Sequence, residues 1–525
     1  MVLDRVSDYS AWLLTLDERG NPSTAIDQRH PGAAWTNGNS VTPLVHGHLY
    51  YRRLYETLSQ TTAGDVVLFT DWRGDPDELL VGPGTAVVDV LEAVARRGVH
   101  VKGLLWRSHP DATGFSKEQN RNLADIVNAA GGEVLLDQRV RRAGCHHQKL
   151  FVILHPHNPE RDVAFVGGID LCHGRNDDEH HHGDPQAIEV DQRFGPTPAW
   201  HDIQAEIRGP AVGDIAETFA ERWRDPTPLQ RGVEGKAREL PIEAPAPSPA
   251  GEPGSHVVQV LRTYPAKRPP YPFAQRGERS VARAYEKAFG RARRLIYIED
   301  QYLWSRDIAR ALGRALASQP ELRVVVVVPR YPDQDGRLTG PPNRIGQLIA
   351  IRLLERHGGD RFRVYDLDGD EWPIYVHAKV CIIDDVWMTI GSDNLNRRSW
   401  THDSELSCAI IDDTRDDREP ADPAGLGDGA RVLPRETRMQ LWAEHTQQDD
   451  LPVDPDVGFD RLASSADALD RWYAQDRVGP RPPGRLRRHQ PAPVALLARP
   501  LAYVAYRFIN DPDGRPLALS VRRQF

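Results

Sequence analysis

The chain has 525 residues, 40% apolar and 27% charged, with a net charge of −9. That length exceeds what one hydrophobic core organises, so two or more domains are expected. The acidic balance argues against a general nucleic-acid binder, whose footprint is a basic surface, although a local basic pocket can still steer an anionic ligand.

The first twenty residues place acids inside a short apolar stretch and lack a basic start, a poor signal peptide. No run reaches the ~18 apolar residues of a spanning helix, and a cytoplasmic location is expected. Along the chain, helices lead into strands ending on acidic and aromatic residues, at Val66–Trp72 and again at Leu295–Tyr302. Amphipathic helices follow, then apolar strands at Val99–Trp106 and Leu322–Pro329. Helices at Ser116–Ala130 and Asn343–His357 each close on a Gly-Gly pair suited to a helix C-terminus. Short strands come next, Glu133–Leu136 and Arg363–Leu367, and then a hairpin in each half. The order is stated twice, which marks an internal duplication. Strands alternating with helices of this length imply an α/β sandwich with a largely parallel sheet, and two such halves imply pseudo-twofold packing with a site at their interface. The expected domains are 1–225 and 257–449, joined by a Pro/Gly-rich linker at 226–256 and followed by an extension at 450–525. Within that extension, Pro493–Ile509 is apolar with two arginines. Packing on the core is the preferred reading, and a membrane-surface anchor is the alternative.

The hairpins carry the chemistry. The first holds His147 and Lys149, then Gly167, Gly168 and Asp170. The second holds His377 and Lys379, then Asp384, Gly391, Ser392 and Asn394. Strand residues two apart share a face, so each histidine should project beside its lysine, and glycine lets the returning backbone come close to a ligand. A lone His-x-Lys is a weak signal, whereas two at matching places in a repeat are a strong one. Aligning the strands beyond the glycine turns lays Asp202 over Glu405, candidates for orienting the second nitrogen of each imidazole.

These residues resemble the phospholipase D superfamily, whose signature is His-x-Lys, four residues, Asp, and then a Gly-Ser or Gly-Gly turn. GGIDLCHGR, PAWHDIQAEIRGPAV, IYIEDQYLW, DNLNRRSW and LWAEH extend the likeness over most of residues 40–450. The wording lies closer to the lipid-cleaving phospholipases. The resemblance implies headgroup hydrolysis or transfer on glycerophospholipids through a phosphohistidine, with His147 as nucleophile, His377 as acid and base, and no metal or other cofactor. The partner expected is a phospholipid, with peripheral membrane contact through the tail and no nucleic acid. Rival readings are a cardiolipin synthase-like phosphatidyltransferase, a nucleic-acid phosphodiesterase, and a scaffold with an inactive site. The first half departs from the signature, because Leu154 stands where Asp is expected and the insert HPHNPERD lengthens the hairpin. Asp162 is the candidate to take over that brace.

Several features remain open between a site role and a structural one. Arg175, Arg397 and Arg398 follow the glycine turns and are candidates for phosphate contact. Trp72, Tyr302 and Trp304 are candidates for the entrance. Glu179-His180-His181-His182 reads as a polar loop near the site mouth in preference to a metal site, and His146 should point away from His147. Four cysteines (Cys145, Cys172, Cys381, Cys408), none in a Cys-x-x-Cys pair, also argue against structural zinc.

Overall fold

The computed structural model describes residues 9–30, 32–108, 117–230, 235, 238–241, 254–333 and 340–525. Most of the proline-rich stretch at 226–256 lies outside the described residues. The first half supplies β1 (Thr36–Val45), β2 (Val66–Asp71), β3 (His100–Trp106), β4 (Glu133–Asp137), β5 (Leu150–Leu154), β6 (Val163–Gly167), β7 (Trp200–His201) and β8 (Ile203–Arg208). The second supplies β9 (His256–Tyr264), β10 (Glu278–Arg279), β11 (Leu295–Asp300), β12 (Arg323–Val327), β13 (Phe362–Asp368), β14 (Pro373–Val376), β15 (Lys379–Ile383), β16 (Trp387–Gly391) and β17 (Glu405–Asp412). β18 (Leu486–Arg488) comes from the C-terminal extension and pairs with β13.

The duplication is exact at the level of pairing order. The first sheet runs β4-β3-β2-β5-β6-β8-β1. The second runs β13-β12-β11-β15-β16-β17-β9. β1 and β9 hold equivalent edges and pair with each other, Thr36 opposite Val258. The expectation of a largely parallel sheet needs correction. Within the two sheets, the strands entered through crossover helices, β2-β3-β4 and β11-β12-β13, run parallel, and β7 pairs in parallel with β14 across the halves. The hairpins return directly, so the remaining neighbours are antiparallel.

Alternation along each strand explains the layers. Val66 and Leu68 of β2 and Val152 of β5 face Tyr297, Ile382 and Met388 in one core between the sheets. Their neighbours Val67, Phe69 and Ile153 face outward, under the helices Val87–Arg96 and Lys117–Ala129. Ile296, Ile298 and Cys381 do the same under Ser280–Arg291 and Arg306–Ser318. The molecule is therefore helix, sheet, sheet, helix, and a strand buried on both sides reads as a continuous apolar run such as Val324–Val327. Helix Val87–Arg96 shows the matching stripe, burying Val87, Val90, Leu91 and Val94 at helical spacing. Gly131 (φ 100°) and Gly359 (φ 54°) end their helices in the left-handed region that glycine tolerates.

The tail divides its own surface. Ala502 and Tyr506 are buried against Trp304, Ile345 and Leu348, so packing on the core accounts for one side. The other side leaves Leu497 97% exposed, Leu501 77% and Phe508 75%. No helix among the described residues is long and apolar enough to cross a membrane.

Candidate active site

Neither motif histidine lies inside its strand. His147 stands three residues before β5, and His377 lies between β14 and β15. Each is fixed by the opposite half. His147 N–H donates to the Ser404 carbonyl (2.9 Å), and His377 N–H donates to the His201 carbonyl (2.8 Å). The regular strand face expected for each His-x-Lys is thus replaced by backbone paired across the seam. The lysines still stay with their histidines. Lys149 Nζ donates to the His147 carbonyl at 3.1 Å, and Lys379 Nζ donates to that of His377.

The orienting carboxylates are exchanged between halves. His147 Nδ1 lies 2.8 Å from Glu405 Oε2, and His377 Nδ1 lies 2.6 Å from Asp202 Oδ2. With Nδ1–H given to a carboxylate, each ring keeps Nε2 for chemistry. Small residues make these approaches possible. A Cβ at Gly168 would lie 2.4 Å from Asp202 Oδ1, and a Cβ at Gly391 would lie 1.8 Å from Ser407 Oγ. Gly167 is equally confined, 2.2 Å from Gln204 Oε1. Where the first half has Gly168, the second has Ser392, whose hydroxyl donates to Glu405 Oε2 at 2.6 Å.

The two pairs differ electrically. Asp202 is held well below the usual carboxylate range, because His377 and Lys379 outweigh the opposing effect of burial. Burial and the neighbouring Asp403 push Glu405 the other way, up to about 8. Burial, with Lys149 and Lys379, keeps the His147 imidazole well below its ordinary value, and burial with Lys379 does the same for His377. Lys379 is itself drawn down to about 8 by burial, with Lys149 adding repulsion against the attraction of Asp202 and Asp300. Lys149 Nζ lies 3.5 Å from Asp170 Oδ1, which also accepts from Trp72 N–H at 3.0 Å. Asn394 is buried, and its Oδ1 has no hydrogen-bond partner among the described residues.

The family model described as Phospholipase D matches residues 82–308, and that described as Cardiolipin synthase, PLD-like domain, matches residues 285–418. The chain belongs to the phospholipase D superfamily. Relatives include Phospholipase D alpha 2 of Oryza sativa subsp. japonica, 26% identical, with 85% of this chain and 70% of that protein aligned. Phospholipase D alpha 1 of Zea mays is 25% identical over 76% of this chain and 63% of its own length. Among solved structures, the phosphatidylserine synthase of Haemophilus influenzae Rd KW20 superposes with a TM-score of 0.48 at 15% identity, covering 71% of this chain and 82% of that one.

The phospholipase D signature clarifies the two departures in the first half. Asp384 accepts from the N–H groups of Arg293, Arg294 and Leu295, holding the turn into β11. Leu154 instead extends β5 by one ladder position, opposite Val66, and joins the central core. The turn into β2 is held by Asp65, which accepts from Thr62 N–H at 2.7 Å and lies 3.0 Å from His155 Nδ1. Asp162 accepts from His155 N–H at 2.6 Å, so it braces the lengthened hairpin.

Other expected residues separate cleanly. Arg175 is buried with its guanidinium 3.9 Å over the Trp200 ring, and its charge acts on His377. Arg397 and Arg398 hold the tail, donating to the Arg507 carbonyl and to Asp511 and Asp403. Trp72 stacks on Trp106, and Tyr302 lies against Trp304 with the rings tilted by 40°. His146 is fully buried beside Asp137 and Arg222, away from the pair. The loop expected at the site mouth behaves differently, for it exposes His180 and His182 but buries His181 against Glu444 at 3.0 Å. Residue-level reading missed Asp71 and Asp300, the equivalent acids ending β2 and β11. Asp300 accepts from the N–H groups of Tyr302 and Leu395. Burial and Asp170 raise Asp71 well above the carboxylate range. Both were visible as the acids closing matched strands.

Proposed function

We propose that this phospholipase D superfamily enzyme cleaves the phosphodiester of a glycerophospholipid through a covalent phosphohistidine. The observation that carries this reading is the reciprocal bracing of His147 by Glu405 and His377 by Asp202. Neutral His147 attacks phosphorus through Nε2, the bond to the headgroup oxygen breaks, and His377 delivers a proton to that oxygen. Water or an alcohol then gives its proton to His377 and attacks phosphorus, releasing His147. Anionic Asp202 favours an imidazolium at His377, against the burial and Lys379 that hold its value down, whereas Glu405 lies near neutrality. Lys149, Lys379 and Asn394 neutralise and bind the phosphoryl oxygens, and Arg175 is a further cation for them. Asp170 positions Lys149, and Ser392 positions Glu405.

A tail with exposed Leu497, Leu501 and Phe508 among arginines suits peripheral contact with an anionic bilayer. It lies beside the site through Tyr506, whose hydroxyl donates to the Trp304 carbonyl at 2.6 Å, while Trp304 N–H donates to Leu395. The test is headgroup release from phosphatidylcholine vesicles, with and without an alcohol acceptor, beside a DNA substrate. Release that disappears in both His147→Ala and His377→Ala is expected. Release surviving either change, or cleavage of DNA alone, refutes the reading.

A further inference from the structure

Behind Asp202, apart from the reacting groups, five buried titratable side chains meet the half-buried Glu444. His46, His181 and His201 come from the first half, and Glu299, Glu444 and His445 from the second. Three imidazole nitrogens converge on one carboxylate. His46 Nε2 lies 2.9 Å from Glu444 Oε2, while His181 Nε2 and His201 Nδ1 lie 3.0 and 3.2 Å from Oε1. These ligand atoms all lie within 4.8 Å of one another. Zinc bonds of ~2.0–2.1 Å set tetrahedral ligand atoms roughly 3.3 Å apart. The separations of His181 and His201 from Oε1 already suit that geometry, while His46 faces the other oxygen, so the carboxylate and the imidazoles must close further on the ion.

The surroundings favour a cation as well. His201 gives Nε2 to Glu299 Oε2 at 2.6 Å, which turns its buried Nδ1 inward, 3.2 Å from Glu444 Oε1 but not aligned for a hydrogen bond to it. A carboxylate behind a histidine is the usual support for a metal ligand. His445 Nε2 holds the other oxygen of Glu299 at 2.6 Å. Arg485 is a competing cation, 4.0 Å from Glu444 Oε1. Two ligands are presented from backbone conformations that glycine favours, His46 at φ 74°, ψ 153° and His181 at φ 59°.

We propose that His46, His181, His201 and Glu444 form a closed structural site for a divalent metal of zinc type, supported by Glu299 and His445. Three ligands belong to the first half and Glu444 to the helix Val432–Thr446, so the ion clamps the halves together. The site has no open position and takes no part in bond breaking. It positions His377 indirectly, because the His201 carbonyl receives His377 N–H and the next residue is Asp202. Imidazole donors with one carboxylate suit zinc, as they also suit copper, iron and nickel.

The test uses the full chain. Metal content is measured after growth with zinc, the protein is stripped with chelator, and unfolding is followed as zinc returns. Cobalt(II) absorption reports coordination directly in the unmodified protein. About one zinc per chain, a tetrahedral cobalt spectrum and a Tm rise of roughly 2–3 °C at a hundredfold excess over Kd are expected. His181→Gln should abolish the cobalt spectrum, and His180→Gln, at an exposed neighbour, should not. Metal below a tenth of an equivalent with no zinc or cobalt response overturns the proposal, leaving a proton-bridged cluster. A cobalt spectrum unchanged in His181→Gln also overturns it.

Discussion

Asp202→Asn is the most revealing perturbation of the reaction centre. The wild-type carboxylate lies 2.6 Å from His377 Nδ1, and it is buried and anionic. A hydrogen bond to a charged partner contributes about 1.5–3 kcal/mol, equivalent to roughly 10–150-fold in rate. The amide can also turn its NH2 toward Nδ1 and stabilise the wrong tautomer, as happens when the triad aspartate of serine proteases is amidated, at a cost of about 10⁴. The combined expectation is a loss of ~10³–10⁴ in kcat with little change in KM. Glu405→Gln is the comparison. Burial leaves Glu405 near neutrality, so a neutral amide replaces it at a cost of about tenfold or less. Both are read by steady-state kinetics on a chromogenic short-chain phosphodiester. Equal losses in the two variants, or less than fivefold for Asp202→Asn, would refute the unequal roles assigned to the carboxylates.

Further outcomes follow from the same geometry. Because Lys379 titrates near 8 and binds phosphate only when charged, kcat/KM should fall as pH rises through about 8. Lys379→Arg should move that limb above pH 10, and an unmoved limb assigns it to another group. Restoring the signature carboxylate with Leu154→Asp should destabilise by about 3–5 kcal/mol, since the side chain lies in the central core without a partner. Calorimetry showing unchanged stability would contradict this. Leu497→Glu combined with Phe508→Glu should weaken binding to anionic vesicles by ~10²-fold through lost apolar insertion. Turnover of a soluble short-chain substrate should stay within twofold, and a matching loss there would place these residues in the site instead.

What could be read from the sequence depended on repetition. The alternation of Val66–Asp71 and Leu295–Asp300 and the matched hairpins revealed the duplicated α/β architecture. The same alignment drew attention to Asp202 and Glu405. It could not reveal that each serves the histidine of the other half, because those contacts join positions 175 and 258 residues apart. Local periodicity carries no information about such pairing, nor about the antiparallel return of β5 and β15. Unrepeated residues were hardest to interpret. His46 follows β1 with no counterpart after β9, and its convergence with His181 and His201 arises only when four separate segments meet. Leu154 marked a true departure, but its replacement by Asp65 and His155 required the lengthened hairpin to be seen in place.

The central claim is a covalent intermediate on one histidine of a cross-braced pair. Rapid quenching after mixing with substrate, followed by peptide mass spectrometry under alkaline conditions, tests it most directly. The account predicts phosphorylated His147, trapped during turnover of the unmodified enzyme and absent in His147→Ala. Phosphate on His377 alone, or turnover with no covalent intermediate on either residue, would contradict it.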